Sequence, residues 1–152
     1  MSTIALRDGI FAADTRAFSG SPRFIGHKSK IFQMKDGTTI GTSTNQPGFA
    51  EKFAEWFADG ADSNPAEIPI VGEGGFEALV VTAEGDVLFF NDGFYPSGPL
   101  DAEFFAIGSG AEYALGAMER GATAEEAVVV AAKYDAWTDA PVMAVSVPVK
   151  SN

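Results

Sequence analysis

Three pairs of short apolar runs, each joined by a turn that contains glycine, constrain the fold of this chain more than any other feature. Such a pair is typical of a β-hairpin, in which two antiparallel strands meet at a tight turn. The predicted hairpins cover residues 3–13, 31–41 and 78–90. Three hairpins predict at least two antiparallel layers.

Helical patterns lie between and after the hairpins. Four aromatic residues at the spacing i, i+4, i+7 and i+8 form one apolar face of a helix: Phe49, Phe53, Trp56 and Phe57. We interpret this face as packing against the core. A second helix is predicted over residues 112–120. Thr123 and Glu126 have the spacing of a capping box, which opens a third helix that runs to about residue 135. A closing strand is predicted over residues 142–149.

The order of these elements favours one fold class. Strands come in consecutive blocks and helices are segregated from them, which is typical of an α+β sandwich and not of alternating βαβ units. Residues 59–75 and 92–99 lack periodicity and are predicted to be irregular. No internal repeat or linker divides the sequence, so we expect a single domain over residues 1–152.

Composition excludes several function classes. The chain has 10 Lys and Arg against 21 Asp and Glu, a net charge of −11. Such a charge repels phosphate backbones and anionic lipids, so neither nucleic acid nor a membrane is expected as a partner. No apolar run approaches the roughly 20 residues of a membrane span, and the N-terminus lacks a signal-peptide pattern. We therefore expect a soluble, cytoplasmic protein.

Metal and cofactor chemistry finds little support in the sequence. Cysteine is absent, which excludes thiolate ligands and cysteine nucleophiles. His27 is the only histidine, so a site with several histidines cannot form and a histidine-based triad would depend on that residue alone. We interpret His27 as a solvent-exposed loop residue and expect no cofactor.

Short segments in collinear order resemble proteasome β subunits and the peptidase HslV. The segments are residues 1–4, 12–17, 30–31, 106–110 and 134–138. The second reads Ala-Ala-Asp-Thr-Arg-Ala, close to the Ala-Ala-Asp-Ser-Arg-Ala string of proteasome β subunits, and the fourth, Ala-Ile-Gly-Ser-Gly, resembles HslV. The resemblance implies a four-layer αββα sandwich. It also implies a homo-oligomeric, ring-like assembly that hydrolyses unfolded polypeptides supplied by an ATP-driven unfoldase.

In that family the side chain of the mature N-terminal residue is the nucleophile, and its own α-amine is the general base. A free α-amine has a pKa of about 7.7–8.0, so it accepts a proton near neutrality without a histidine. Removal of Met1 is expected to be easy because the small Ser2 follows, and it would leave Ser2 as the nucleophile. The resemblance places Lys30 beside Ser2 and pairs Lys30 with Asp14.

The resemblance also assigns a supporting group. Ser109, Asp135 and Thr138 match the residues that position the α-amine and a water molecule in the family. Each pattern taken singly has a simpler reading. In the simpler reading, Asp14 and Lys30 are an ordinary ion pair at a strand end. Ser109 in that reading is a capping serine in a strand-to-helix turn.

Two departures from the family pattern favour an alternative function. Phe18 stands where the family usually has threonine, in a strand that pairs with bound peptide. The turn before the first helix normally supplies the oxyanion donor, and here it is bulky; Asn45 and Gln46 have backbone N–H groups for that role, but Pro47 has none. The alternative is a catalytically inactive descendant that serves as a structural or assembly subunit.

Overall fold

The computed structural model describes residues 2–19, 21, 23–61, 75–92 and 94–150. Its strands are β1 (Ile4–Arg7), β2 (Ile10–Asp14), β3 (Arg16–Phe18), β4 (Phe24–His27), β5 (Ile31–Gln33), β6 (Thr39–Thr44), β7 (Phe76–Val81), β8 (Val87–Asn91), β9 (Phe104–Ile107) and β10 (Val142–Ser146). Its helices are α1 (Phe49–Ala58), α2 (Ala111–Glu119) and α3 (Ala124–Tyr134).

The strands of the described part of the chain form two four-stranded antiparallel sheets and one separate pair. The first sheet has the order β10-β2-β1-β9 and the second β5-β6-β7-β8, while β3 pairs with β4. The predicted hairpins are confirmed as the pairs β1–β2, β5–β6 and β7–β8, all antiparallel. The prediction of at least two antiparallel layers is therefore confirmed.

The sheets and helices stack in four layers. The two sheets face each other across an apolar core whose members include Ile4, Phe11, Leu79, Val81 and Ile107. Helix α1 packs on the outer face of the second sheet, and α2 and α3 pack on the outer face of the first. This arrangement is an αββα sandwich, which confirms the predicted fold class.

The aromatic face of α1 is core, as interpreted from its spacing. Phe53 has no exposed surface. Its ring centroid lies 5.0 Å from that of Phe76, 5.2 Å from Phe90 and 4.9 Å from Phe94. The capping box is also confirmed at the start of α3. The Thr123 hydroxyl accepts from the Glu126 backbone N–H at 3.1 Å, and the Glu126 carboxylate accepts from the Thr123 N–H at 3.0 Å.

The local sequence patterns predicted none of the strands β3, β4 and β9, although the family resemblance places Phe18 of β3 in a strand, and the closing strand is shorter than predicted. Strands β3 and β4 form an exposed ribbon, and the β4 residues alternate neither in polarity nor in burial. Four residues separate the stretch 92–99 from strand β9, which completes the first sheet beside β1. The last strand ends at Ser146, after which the Val147 N–H still donates to the Gly9 carbonyl at 2.9 Å.

The two segments predicted to be irregular have different outcomes. Positions 62–74 of the first lie outside the described residues. The described residues of the second, 92 and 94–99, are irregular apart from one bridge, in which Ser97 and Phe89 exchange two backbone hydrogen bonds of 2.9 Å. Among the residues that the structure describes, no helix is long and apolar enough to cross a bilayer.

Candidate active site

Strand ends bring the first three candidate residues together. Ser2 lies two residues before β1 begins, Asp14 ends β2, and Lys30 directly precedes β5. The antiparallel pairing of β1 with β2 places Asp14 beside Thr3, where their backbones are joined by a 3.2 Å hydrogen bond from the Asp14 N–H to the Thr3 carbonyl. The Asp14 carboxylate in turn accepts from the Thr3 N–H at 3.0 Å. Asp14 is thereby fixed next to the residue that follows Ser2.

Asp14 and Lys30 form a buried ion pair. The Lys30 Nζ lies 3.0 Å from the Asp14 Oδ2, and the two side chains are 8% and 0% exposed. Burial raises the pKa of Asp14 despite the opposing charge of Lys30, and burial lowers the pKa of Lys30 despite the opposing charge of Asp14. Lys30 therefore gives up a proton more readily than a solvated lysine does.

The second group of candidates converges on one carboxylate. The Asp135 Oδ2 accepts from the Ser109 hydroxyl at 2.7 Å and from the Thr138 hydroxyl at 2.6 Å. Because the Thr138 proton points to Asp135, the 2.7 Å contact between Thr3 Oγ1 and Thr138 Oγ1 has Thr3 as its donor. The chain Thr3–Thr138–Asp135 thus links the second group to β1, at the residue that also contacts Asp14.

The loop between β9 and α2 holds the backbone of Ser2. The Gly110 N–H donates to the Ser2 carbonyl at 3.3 Å, and the Ser109 Oγ lies 3.4 Å from the same oxygen. The reading of Ser109 as a capping serine is wrong, because the N-cap of α2 is Gly110 and no side chain caps that helix. The Ser109 hydroxyl binds Asp135 instead.

Gly108 is required by both conformation and space. Its φ of 97° lies in the left-handed region, and a Cβ at this position would overlap the Ser2 carbonyl oxygen and lie 3.1 Å from the Ser43 Oγ. Any side chain at residue 108 would therefore push the Ser2 backbone away from its hydrogen-bond donors.

Replacing Gly108 by alanine is expected to lower the free energy of unfolding by about 2–5 kcal/mol, from left-handed strain and overpacking. Two controls separate these causes in urea titrations. Gly121→Ala has the same strain, with a φ of 100° and nothing within 4 Å of its Cβ. Gly116→Ala, in α2 with open space around its Cβ, is expected to stabilise by about 0.5–1 kcal/mol. Equal losses at Gly108 and Gly121 would show that the close approach to Ser2 is unimportant.

The Ser2 hydroxyl is unusual because it is buried and yet makes no hydrogen bond to the described residues. Ser2 is 1% exposed, and its Oγ has no hydrogen-bond partner among the described residues. A buried hydroxyl without a partner costs about 1–3 kcal/mol, and native proteins keep few such groups outside sites where they have a role. The orphaned oxygen belongs to the residue that the sequence singled out as the nucleophile.

A cleft of ≈ 330 Å³ opens beside Ser2 and Lys30, and both residues contribute to its lining. One wall comes from the ribbon β3–β4 and from Trp137. Phe18 lies in this wall and packs edge-on against Trp137, with ring centroids 4.9 Å apart. The turn that leads into α1, from Thr44 to Gly48, also lines the cleft. The cleft is large enough for one or two side chains of an extended peptide.

The two backbone N–H groups considered as oxyanion donors are already engaged. The Asn45 N–H donates to the Gly75 carbonyl at 3.0 Å, and the Gln46 N–H donates to the Thr44 hydroxyl at 3.1 Å. The first bond prolongs the pairing of β6 with β7, whereas the second is local to the turn. Release of the Gln46 bond therefore needs less rearrangement than release of the Asn45 bond.

Glu77 was missed by sequence reasoning, although an acid in the apolar strand β7 is a signal in itself. It lies opposite Ser43 in the sheet, and its carboxylate accepts from the Gly108 backbone N–H. Burial raises the pKa of Glu77, the hydrogen bond from Gly108 opposes this, and the nearby Asp92 charge adds to it. Glu77 thus joins the second sheet to the loop that holds Ser2.

Glu77→Gln is expected to stabilise the protein at neutral pH and to have no effect near pH 4. A carboxyl whose pKa rises on folding supports the native state below its unfolded pKa and loses that contribution as the pH rises through its folded pKa. Glutamine keeps an acceptor for Gly108 and cannot ionise. The difference in urea midpoint between variant and wild type, followed from pH 4 to pH 8, measures this. A difference independent of pH would contradict the assignment.

His27 is exposed, as interpreted, but it ends strand β4 and is not in a loop. Its Nδ1 lies 3.1 Å from the Thr15 hydroxyl, whose own proton points to the Pro141 carbonyl at 2.7 Å. Within the described residues, no three His, Asp or Glu side chains are grouped so that they could hold a metal ion.

Comparisons with known proteins identify the fold. No family model matches the sequence, and no curated protein matches it. Solved structures do match along nearly the whole chain. BPH from Thiobacillus denitrificans is 20% identical, with a TM-score of 0.68 over 99% of both chains. Its complex with epoxomicin gives 0.66 at 20% identity, over 97% of this chain and 98% of that one.

A third structure extends the likeness to eukaryotes. HslV from Trypanosoma brucei is 17% identical and has a TM-score of 0.66, over 95% of this chain and 98% of its own. The chain therefore has the HslV-like, proteasome-type fold that the resemblance of its sequence segments implied.

Proposed function

We propose that this chain is an N-terminal-nucleophile peptidase in which Ser2, released by removal of Met1, attacks the peptide carbonyl. The observation that carries the proposal is the buried Ser2 hydroxyl, which has no partner among the described residues and lies at a cleft shared with Lys30. Native proteins leave few buried hydroxyls without a partner, and a catalytic role is one physical reason to keep such a group.

The proposed reaction needs no histidine. The α-amine of Ser2 takes the proton of the Ser2 hydroxyl, and the oxygen bonds to the substrate carbonyl carbon. The proton then passes to the leaving amine as the peptide C–N bond breaks, and an ester to Ser2 remains. Water hydrolyses this ester and regenerates the hydroxyl. Lys30, held by Asp14, stabilises the negative charge that develops on the Ser2 oxygen.

The second group of residues serves as a positioning device in this proposal. Asp135 anchors Ser109 and Thr138, and these residues together with Gly110 fix the Ser2 carbonyl and Thr3. The amine and hydroxyl of Ser2 are then presented to the cleft in one orientation, which lowers the entropic part of the barrier. We extend the proposal to a homo-oligomeric ring that degrades unfolded polypeptides with an ATP-driven unfoldase, on the strength of the sequence resemblance.

Two mass-spectrometric measurements test the proposal. Intact mass should show that Met1 is absent, and an inhibitor that reacts with N-terminal nucleophiles should add one equivalent, mapped to Ser2. Epoxomicin is the first reagent to use, because BPH of the same fold has been solved in complex with it. Met1 retained on every chain, with neither labelling nor hydrolysis of an unfolded protein, would overturn the proposal.

The engaged N–H groups of Asn45 and Gln46 favour a second candidate, a structural or assembly subunit without catalysis. Loss of one oxyanion donor lowers rates by about 10²–10³-fold. Under this candidate, protein that has lost Met1 would assemble normally but would neither react with the inhibitor nor cleave peptide. The labelling experiment separates the two candidates, and light scattering shows whether protein that fails to react is nevertheless assembled.

A further inference from the structure

The charge of the cleft is opposite to that of the chain. The protein carries a net charge of −11. Yet the charged residues that line the cleft beside Ser2 are Arg16, Lys28 and Lys30, and no acid is among its described lining residues. A solvated surface of this composition would present mostly carboxylates, so the concentration of cations at this cleft is a feature of the site.

The acids that pair with these cations lie outside the lining. Asp139 is 3.3 Å from Arg16, and Glu51 is 2.5 Å from Lys28. Each pair therefore turns its positive end toward the cleft and its negative end away from it. A ligand in the cleft meets an ammonium and a guanidinium before it meets either carboxylate.

Both pairs are open enough to accept another carboxylate. The Arg16 and Asp139 side chains are 24% and 54% exposed, and those of Lys28 and Glu51 are 34% and 46% exposed. Ion pairs in such contact with water are weak and screened. Arg16 has five N–H donors and Lys28 has three, so each can bind a ligand carboxylate while it keeps its present partner.

The wall of the cleft holds these cations in place. The Lys28 N–H donates to the Thr15 carbonyl at 2.8 Å, so Lys28 is tied to the residue that precedes β3. The Arg16 guanidinium carbon lies 5.0 Å from the Phe18 ring centroid and 5.7 Å from that of Phe24. Contact with two rings limits the conformations of the arginine, which lowers the entropy lost when it binds a ligand.

We propose that the cleft selects peptides with an acidic side chain, which Arg16 and Lys28 bind beside the scissile bond. The inference rests on the proposed function, because it names the substrate class of the same site. The acidic side chain enters between the ribbon β3–β4 and the turn before α1, and the substrate carbonyl then faces Ser2.

Equilibrium binding tests this without hydrolysis. Two blocked nonapeptides that differ only in a central Glu or Gln are titrated by calorimetry into full-length protein carrying Ser2→Ala. We expect the Glu peptide to bind about tenfold tighter at low salt. The preference should disappear in an added Arg16→Gln/Lys28→Gln pair and persist in Lys35→Gln/Lys52→Gln, which removes the same charge from exposed positions outside the cleft lining.

A variant that is expected to strengthen binding serves as a control, because misfolding can only weaken the binding of the peptide. Glu51→Gln removes the acid behind Lys28 and should strengthen binding of the Glu peptide. Equal binding of the two peptides, or equal loss of preference in both paired variants, would overturn the inference. Hydrolysis by the wild-type chain without any preference would refute this inference alone. A preference for the Glu peptide without any hydrolysis by the wild-type chain would support this inference and contradict the proposed peptidase function.

Discussion

The Ser2→Ala variant is expected to lose peptide hydrolysis by about 10⁴-fold or more, because the nucleophile of a covalent mechanism has no substitute. The same change should raise the free energy of unfolding by about 1 kcal/mol, since it removes a buried hydroxyl that has no partner among the described residues. Hydrolysis of a fluorogenic peptide and urea unfolding measure the two effects.

These opposite signs are what distinguish a catalytic hydroxyl from a structural one. If Ser2 were kept for packing, its hydroxyl would have a hydrogen-bond partner, and its replacement by alanine would lower the free energy of unfolding of the protein. Ser2→Thr is the matched control, since it keeps the hydroxyl and adds one methyl group; it should retain activity. Undiminished hydrolysis by Ser2→Ala would assign the chemistry to another residue, and a clear loss of stability would show that the Ser2 hydroxyl supports the fold.

The fold was predictable where local signals specify structure. The hairpins and the capping box of Thr123 and Glu126 follow from apolar runs, turns and capping chemistry within a few residues. The ribbon β3–β4 gave no such signal. Its strands are partly or fully exposed, so no burial pattern is imposed on their sequence.

The sequence pointed to most residues of the candidate site, with Glu77 as the exception, but not to the contacts that connect them. Collinear resemblance supplied the identities of Asp14 and Ser109, yet it assigned no role to Thr3, whose backbone and hydroxyl join the two groups. The contact from Glu77 to Gly108 joins β7 of the second sheet to the loop that follows β9 of the first. Contacts of this kind depend on how the layers stack, which no local pattern encodes.

Asp14→Asn is expected to lower the free energy of unfolding by about 3–5 kcal/mol, because it leaves the buried Lys30 ammonium without its counter-charge. Asparagine keeps an oxygen for the Thr3 N–H, which donates to Asp14 at 3.0 Å. Its amide nitrogen replaces the oxygen that accepts from the Lys30 Nζ at 3.0 Å and the Asp139 N–H at 3.3 Å, so these acceptor contacts are lost together with the charge. Urea unfolding at pH 7 measures the loss.

The pH dependence of this variant follows from Lys30. Burial already lowers the pKa of Lys30, and without Asp14 the opposing effect of the carboxylate is gone. A lysine with a lowered folded pKa supports the native state above its unfolded pKa, and that contribution is lost as the pH falls through the folded value. The destabilisation of Asp14→Asn relative to wild type should therefore shrink as the pH is raised from 7 toward 10. A constant difference would place the cause elsewhere.

The double variant Asp14→Asn/Lys30→Met decides why the pair exists. A buried ion pair replaced by uncharged groups of similar size often costs nothing or stabilises, so most of the stability lost in Asp14→Asn should return. Activity should not return, because the proposed mechanism needs the Lys30 charge beside Ser2. Recovered stability without recovered hydrolysis would mean that the pair is retained for chemistry. Additive losses of stability would mean instead that it is retained for the fold.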